Sequence, residues 1–421
     1  MQMMVQAQFG WRKPGIILPG LILTLILCLG AGEGDPLLGP PPGSYRVTAA
    51  DSTIVIPFTL FRGDILMNAR VNGRPVRMML DNGFLWDQIL FFGSPLVDSL
   101  ELVYDGEAGV GGPGEGSQVP ARTASGITIE FPGVEFIGQT AIVTPYESGL
   151  TNMWWGTEGQ VSATFLKHFV VDINYDRMEI TLLPPGGFSY RGKGVEVPMK
   201  PLLPGAWGIP AIGEFADGRR VKLDLLMDLG YGDALELAEG GPHGLRAPVN
   251  SVEGSLGFGA QGEIRGRFGR LAAVEIGGNR LEGPIAGFVA PKDSGSAFSE
   301  AMVGMEIFRR FNLVLDYPGR RVFLEPNWRF GDPFEYNMSG MWLTKCGGDT
   351  LEIAAIHPGS AAARAGLKAG DKVLTINDRP AAGYDAWELK PLLTQDGKTV
   401  TLTVARQGRE RRVSLKLHRL I

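Results

Sequence analysis

The strongest constraint on the fold is a short pattern that occurs once in each half of the chain. An apolar run leads into Asp-Asn-Gly at residues 81–83, and a second apolar run leads into Asp-Leu-Gly at residues 228–230. Each run predicts a buried β-strand, and the glycine allows a tight turn directly after it. A carboxylate at the end of a buried strand is costly unless another group compensates for its burial. The two aspartates therefore become candidate partners.

Other landmarks recur in the same order, which predicts a duplicated unit. The two aspartates are 147 residues apart (228 − 81), and the segment 129–136 is matched by 274–281 at a similar spacing. Residues 169–175 and 311–317 both begin with Phe and end with Tyr. Because several landmarks recur at nearly constant spacing, we expect two similar β-lobes. Their predicted bounds are residues 45–187 and 192–328.

Two glycine-rich segments, 109–114 and 257–262, fit the pattern G-x-G-x-x-G. The dinucleotide-binding interpretation requires a strand before this pattern and a helix after it. Pro113 disfavours a helix in the first segment, and no helical periodicity follows the second. Because the segments occupy the same place in each predicted lobe, we interpret them as hairpin tips or mobile loops over a cleft.

The N-terminus predicts export. Arg12 and Lys13 precede the apolar run 16–29 and a few small residues, which is the order of a secretory signal. The run is shorter than the roughly 20 residues of a membrane-spanning helix. Residues 1–31 are therefore predicted to be a signal peptide, with an uncleaved membrane anchor as the alternative, and the Gly- and Pro-rich residues 32–44 a linker. The expected location is periplasmic or extracellular.

Composition excludes several classes of function. The net charge of −5 gives no support for nucleic-acid binding. The four histidines are scattered without the spacing of metal ligands, so neither a metal nor a cofactor is expected. One of the two cysteines, Cys28, lies in the predicted signal segment, which leaves Cys346 without an internal disulfide partner. No His–Asp arrangement supports Cys346 or Ser360 as a nucleophile.

Residues 335–421 form a third predicted unit, an α+β domain that resembles a PDZ domain. The resemblance rests on the sequence PGSAAARAGLKAGDKVLTIND and on a helical stretch near residues 385–393. It implies that a peptide C-terminus adds to a sheet edge while backbone N–H groups hold its carboxylate. The residues that the resemblance assigns to peptide binding are Ser339, Gly340, Met341, Trp342, Leu343, Leu389 and Leu393. For the Met and Leu residues among these, ordinary core packing stays an open alternative.

The duplicated part resembles the retropepsin-like (pepsin-type) aspartic proteases, in the bacterial form that carries a C-terminal PDZ domain. The resemblance rests on VNGRPVRMMLDNG at 71–83, on GRRVKLDLLMDLG at 218–230 and on VGMEIFRRFNLVLDYPGRRVFLEP at 303–326. It implies a mainly β, two-lobed β-barrel fold with Asp81 and Asp228 as the catalytic pair. Two carboxylates at about 3 Å share one proton, so one acts as general base on a water while the other hydrogen-bonds the scissile carbonyl.

The chain departs from the family in both turns. The family has a Thr or Ser hydroxyl between Asp and Gly, where this chain has Asn82 and Leu229, and it has small residues where this chain has Phe84 and Tyr231. The amide of Asn82 can replace part of the lost hydrogen bonding, because it both donates and accepts, whereas Leu229 cannot.

Two hypotheses follow from this departure. The first is an exported monomeric endopeptidase acting on peptides or proteins, with Asn82, Gly83, Leu229 and Gly230 forming its active-site turns. The second is a catalytically degenerate peptide-binding scaffold, because a loosely held pair of aspartates can lose orders of magnitude in rate.

Overall fold

The computed structural model describes residues 43–49, 53–61, 63–84, 87–154, 156–290, 300–346, 350–384 and 386–421. The predicted signal segment and nearly all of the predicted linker lie outside these residues. The described chain is mainly β. None of its described helices has both the length and the apolar character needed to cross a membrane.

The first β region covers residues 44–183. Its strands are β1 Ser44–Val47, β2 Ile54–Phe61, β3 Asp64–Val71, β4 Arg74–Leu80, β5 Ile89–Phe91, β6 Tyr104–Val110, β7 Val119–Phe131, β8 Val134–Val143, β9 Gly159–Val161, β10 Val170–Asn174 and β11 Glu179–Leu183. Its helices are α1 Pro95–Asp98, α2 Leu150–Met153 and α3 Ala163–Leu166. Ser94 caps the N-terminus of α1, because its hydroxyl accepts a hydrogen bond from the N–H of Val97 at 3.1 Å.

The second β region covers residues 195–326. Its strands are β12 Val195–Pro198, β13 Lys200–Leu203, β14 Ala206–Glu214, β15 Arg220–Met227, β16 Leu235–Ala238, β17 Val252–Gly259, β18 Gly262–Arg270, β19 Ala273–Ile276, β20 Asn279–Glu282, β21 Ile285–Val289, β22 Ala301–Val303, β23 Phe311–Asp316 and β24 Arg321–Pro326. Its described helix is α4 Met305–Phe308.

The same order of strand pairings occurs in both β regions. In the first, β4 pairs in parallel with β9, β9 antiparallel with β5, and β5 in parallel with β8. In the second, β15, β22, β16 and β21 follow the same order with the same directions. Antiparallel hairpins then extend each sheet, β6–β7 (the first hairpin) and β17–β18 (the second hairpin). Equivalent positions of the two regions can therefore be compared directly.

One sheet joins the two regions, which the sequence did not indicate. Strand β10 of the first region pairs antiparallel with β23 of the second, and this pairing places β12, β24 and β23 in the same sheet as β2–β11. A continuous apolar core, which includes Ile173, Leu313 and Tyr317, spans the joint. The shared sheet and core thus hold the two regions together, and the ends of β4 and β15 meet.

The predicted PDZ domain contains β25 Met341–Lys345, β26 Leu351–Ile356, α5 Ala361–Arg364, β27 Lys372–Ile376, β28 Arg379–Pro380, α6 Ala386–Leu393, β29 Thr399–Arg406 and β30 Arg409–Lys416. Its sheet order is β25-β26-β27-β29-β30, so β25 is an edge strand. Helix α6 matches the predicted helical stretch and continues past Pro391 to Leu393.

Candidate functional site

Asp81 and Asp228 follow directly after the equivalent strands β4 and β15. The N–H of Asp81 donates to the Val161 carbonyl and that of Asp228 to the Val303 carbonyl, both at 3.0 Å. Each carboxylate then accepts from the glycine two residues later at 2.8 Å, Gly83 for the first and Gly230 for the second. Local backbone hydrogen bonding thus fixes both aspartates in the same way.

The two carboxyl groups face each other and are hydrogen-bonded to one another. A side-chain carbon added to Gly83 would overlap the carboxyl of Asp228, and one added to Gly230 would overlap the carboxyl of Asp81. Glycine is therefore required in both turns for the close approach of the opposite aspartate. The structure brings together all the residues that the sequence assigned to the two turns.

Burial raises the pKa of Asp81, and it raises the pKa of Asp228 well above its ordinary value, with repulsion from Asp81 as the second cause. Asp81 also accepts from the N–H of Phe84 at 3.2 Å and from the side-chain amide of Gln160, and both bonds favour its ionised form. Asp228 instead lies near the buried carboxylate of Glu236, which disfavours its ionisation. The additional donors around Asp81 favour the negative charge there, with the shared proton on Asp228.

Asn82 ties the first turn to the second β region. Its amide nitrogen donates to the Met227 carbonyl and to the Tyr317 hydroxyl, both at 3.0 Å, and its oxygen accepts from the Leu229 N–H at 2.6 Å. The side chain of Leu229 is fully buried in the apolar core. The amide of Asn82 thus connects the two turns, whereas Leu229, at the equivalent position of the second turn, contributes packing.

The aromatic rings after the two glycines lie beside the carboxyl pair and do not separate it. Phe84 packs against a buried apolar cluster that includes Leu90 and Val110. The hydroxyl of Tyr231 donates to the Leu235 carbonyl at 3.2 Å, and its ring packs with Leu226. The bulky rings are accommodated by neighbouring apolar clusters.

The tips of the two hairpins meet and are hydrogen-bonded. Gly116 donates to the Gln261 carbonyl at 2.6 Å, and Gln261 donates through its N–H to Pro113 at 3.1 Å and through its amide to Gly116 at 3.0 Å. Ala260 in the second tip packs in the same cluster as Phe84, three residues after Asp81. The glycine-rich segments thus lie at hairpin tips, as the sequence predicted, and the second tip packs in an apolar cluster that Phe84 also contacts.

In the PDZ domain, the predicted carboxylate-binding loop uses its N–H groups internally. Ser339 donates to the Asn337 side chain at 3.0 Å, Gly340 to the Asn337 carbonyl at 3.3 Å and Met341 to the Ser339 hydroxyl at 3.2 Å. The indole of Trp342 donates outward, to the Ser255 carbonyl in β17 at 3.1 Å. The remaining predicted peptide-binding residues, Met341, Leu343, Leu389 and Leu393, share one buried cluster.

Sequence reasoning missed Gln160 and Tyr317 as contacts of the aspartate turns. The sequence did contain a signal for Gln160. Strands β9 and β22 are equivalent, and the position of Gln160 in β9 is occupied by Met302 in β22, so only one copy of the repeat has a polar residue there. Tyr317 was a landmark of the repeat, but its hydroxyl contact with Asn82 has no signature in the sequence.

Within the described residues, no three His, Cys, Asp or Glu side chains are grouped so as to hold a metal ion. Comparison with curated proteins gives no match. The model of the PDZ domain family matches residues 352–406, which extend from β26 to the end of β29. Residues 352–406 are therefore a PDZ domain, a module that binds peptides or proteins.

Proposed function

We propose that this chain is an exported aspartic-type endopeptidase with the two-lobed retropepsin-like fold, and that its PDZ domain binds peptide C-termini. The observation that carries the proposal is the pair of facing carboxyls, buried Asp81 and partly buried Asp228, which share a hydrogen bond at two equivalent strand ends. The repeated order of strand pairings supports the fold, because it gives the two aspartates equivalent surroundings.

The proposed mechanism follows from the unequal hydrogen bonding of the two carboxyls, because more donors surround Asp81 than Asp228. Asp81, ionised, takes a proton from a water whose oxygen attacks the carbonyl carbon of the peptide bond. Asp228, protonated, donates its proton to the carbonyl oxygen. When the C–N bond breaks, the proton on Asp81 passes to the leaving nitrogen, and Asp228 recovers its own as the carbonyl re-forms. The pair then returns to its starting state.

A second candidate function is a non-catalytic peptide-binding scaffold. It is favoured by the PDZ domain and by Leu229, which supplies no hydroxyl to the opposite turn.

The test of the endopeptidase is cleavage of an unfolded protein such as casein between pH 3 and 8. We expect cleavage by the wild type and a loss of at least about 10³-fold in Asp81→Asn, with full activity in Asp224→Asn, a control on β15 whose carboxylate pairs with Lys200. Equal activity in the wild type and Asp81→Asn would reject this mechanism. Absence of cleavage by every variant would favour the scaffold.

The proposed export has its own test. Residues 1–44 fused to a reporter enzyme that is active only outside the bacterial cytoplasm should give activity. A matched fusion in which Leu21 and Leu25 are replaced by Arg should not, because the apolar run is then broken.

A further inference from the structure

An apolar patch lies on the outward face of the first β region. In β3 the core-facing residues alternate with Asp64, Leu66, Asn68 and Arg70, so Leu66 belongs to the outward set. Met79 pairs with Leu66 across the strands, and Phe61 lies outward at the end of β2. All three are nevertheless buried, with 7% of Phe61, 3% of Leu66 and 2% of Met79 exposed.

The PDZ domain covers this patch with its peptide-binding face. We call the space between the edge strand β25 and helix α6 the β25–α6 groove; its lining residues are Met341, Leu343, Leu389 and Leu393. The three patch residues belong to the same buried apolar cluster as these lining residues. Helix α6 lies against β2, and α2 lies against β25. The groove thus faces an apolar surface of its own chain.

Polar contacts hold the groove in this position from three sides. The hydroxyl of Thr344 in β25 donates to the Asn152 carbonyl in α2 at 2.9 Å. Lys390 of α6 forms an ion pair with Glu306 of α4, a buried carboxylate whose pKa the nearby cations lower to about 2. Trp342 of β25 bonds to Ser255 of the second hairpin, and its ring packs edge-on against Phe258 at 6.3 Å.

We propose that the β25–α6 groove is occupied by the chain's own patch, Phe61, Leu66 and Met79, and that a peptide C-terminus competes with the patch for this groove. A peptide that adds to the sheet must reach the outer edge of β25, which α2 now lies against. Its terminal apolar side chain must enter a groove whose lining is at most 9% exposed. Peptide binding therefore requires the PDZ domain to leave the patch.

In the proposed endopeptidase, undocking also loosens the joined hairpin tips. Trp342 is the contact between the peptide-binding strand and the second hairpin, and the tip of that hairpin is hydrogen-bonded to the tip of the first. A peptide that displaces β25 from the patch thus removes a support of the closed hairpins. This last consequence rests on the proposed endopeptidase, whereas occupation of the groove does not.

The first test weakens the patch and measures amide hydrogen exchange in the full chain. Leu66→Ser combined with Met79→Ser alters two outward side chains, and Asn68→Ser combined with Arg77→Ser alters the neighbouring outward row as a matched control. In the patch variant we expect about ten-fold faster exchange in β25 and in residues 252–270, with β29–β30 unchanged. Unchanged exchange in β25 would overturn the proposal. Equal acceleration in β29–β30 would also overturn it, because the patch would then be part of the PDZ folding core.

The second test measures competition directly. The probe is a pool of fluorescein-labelled peptides with four randomised C-terminal residues and a free carboxylate. The patch variant should retain about ten-fold more of this pool than the wild type or the control, and an amidated pool should be lost. Equal retention by the patch variant and the wild type would overturn the proposal.

A third variant leaves the patch residues unchanged, so its result does not depend on whether the fold tolerates the patch substitutions. Asn152→Cys with Thr344→Cys, in a Cys346→Ser background, places a cross-link between α2 and β25. Oxidation should slow exchange in β25 and abolish retention of the peptide pool, and reduction should restore both, relative to Thr344→Cys alone. Retention that survives a cross-link verified by mass spectrometry would overturn the proposal. None of these readouts requires hydrolysis, so they remain informative if the chain cleaves nothing.

Discussion

The Asp81 turn and the Asp228 turn share one backbone arrangement but differ in their side chains. In both turns the aspartate N–H bonds the equivalent carbonyl and the carboxylate accepts from the second residue after it. The polar contributions differ, because the first turn has Asn82 and Gln160 at positions where the second has Leu229 and Met302. The comparison shows that the backbone supplies the two-fold geometry, whereas the side chains make the carboxyls chemically unequal.

This inequality has a consequence for mechanism. A symmetric pair has no intrinsic preference for the location of its proton, and the pair titrates as one unit. Here the donors cluster on Asp81, and the carboxylate of Glu236 lies on the side of Asp228. The side chains therefore assign the roles of base and acid before a substrate binds.

The largest expected effect comes from removing either carboxyl. Asp81→Asn and Asp228→Asn should each lower kcat by at least about 10³-fold, because one eliminates the base and the other the acid. The measurement is the cleavage rate of casein or a peptide, with Asp224→Asn as the control. Retention of activity in one of the two variants would show that a single carboxylate is sufficient and would contradict the division of roles.

The next effect distinguishes the two positions between Asp and Gly. Asn82→Leu leaves the Leu229 N–H and the Met227 carbonyl buried without a partner, so it should reduce the free energy of unfolding by about 3–5 kcal/mol. Leu229→Met keeps the volume and the apolar character of a core residue and should cost less than about 1.5 kcal/mol. Tyr317→Phe, which removes one hydroxyl, should cost about 1 kcal/mol.

Urea unfolding of these variants side by side measures the difference. Equal costs for Asn82→Leu and Leu229→Met would mean that the two turns are held alike, against the asymmetry seen in the structure. Equal costs would also result if the Leu229 N–H and the Met227 carbonyl found another hydrogen-bond partner in Asn82→Leu.

A smaller effect concerns stability as a function of pH. Burial raises the folded-state pKa of Asp228. The free energy of unfolding of the wild type is therefore highest, as far as Asp228 contributes to it, below about pH 4, and it falls as the pH rises through the raised pKa. Asp228→Asn has no proton to lose and keeps a donor toward Asp81. Relative to the wild type, its free energy of unfolding should increase between pH 4 and neutrality by about 1.4 kcal/mol for each unit by which the pKa of Asp228 is raised.

Urea unfolding of Asp228→Asn and the wild type at pH 3.5, 5 and 7 checks this sign. Asp224→Asn controls for the loss of a surface carboxylate. A variant that is less stable than the wild type at pH 7 but equal at pH 3.5 would show that the folded pKa of Asp228 is lowered, which contradicts the assignment of the proton.

The parts of the molecule that could be predicted from sequence are those determined by local chemistry. The aspartate turns and the repeat follow from strand-ending carboxylates and glycines, and the PDZ helix from its own sequence. The pairing of β10 with β23 and the hydroxyl contact of Tyr317 depend on residues far apart in the chain, which have no local signature. Burial of Met79 under the PDZ domain was ambiguous for another reason: a continuous apolar run does not show which side of a strand faces the core.

The smallest effect tests the asymmetry at its least obvious residue, Gln160. Its amide hydrogen-bonds the ionised form of Asp81, so Gln160→Met should raise the pKa of Asp81 and move the acid limb of the pH profile of kcat/KM upward by about one pH unit. The reverse change in the other copy, Met302→Gln, places a donor beside Asp228 and should move the alkaline limb downward. Combining both changes reverses the asymmetry of the pair, and the profile should narrow from both sides. A uniform loss of kcat with unmoved limbs would make Gln160 a packing residue, and the inequality of the carboxyls would then depend on the Phe84 N–H and on Glu236.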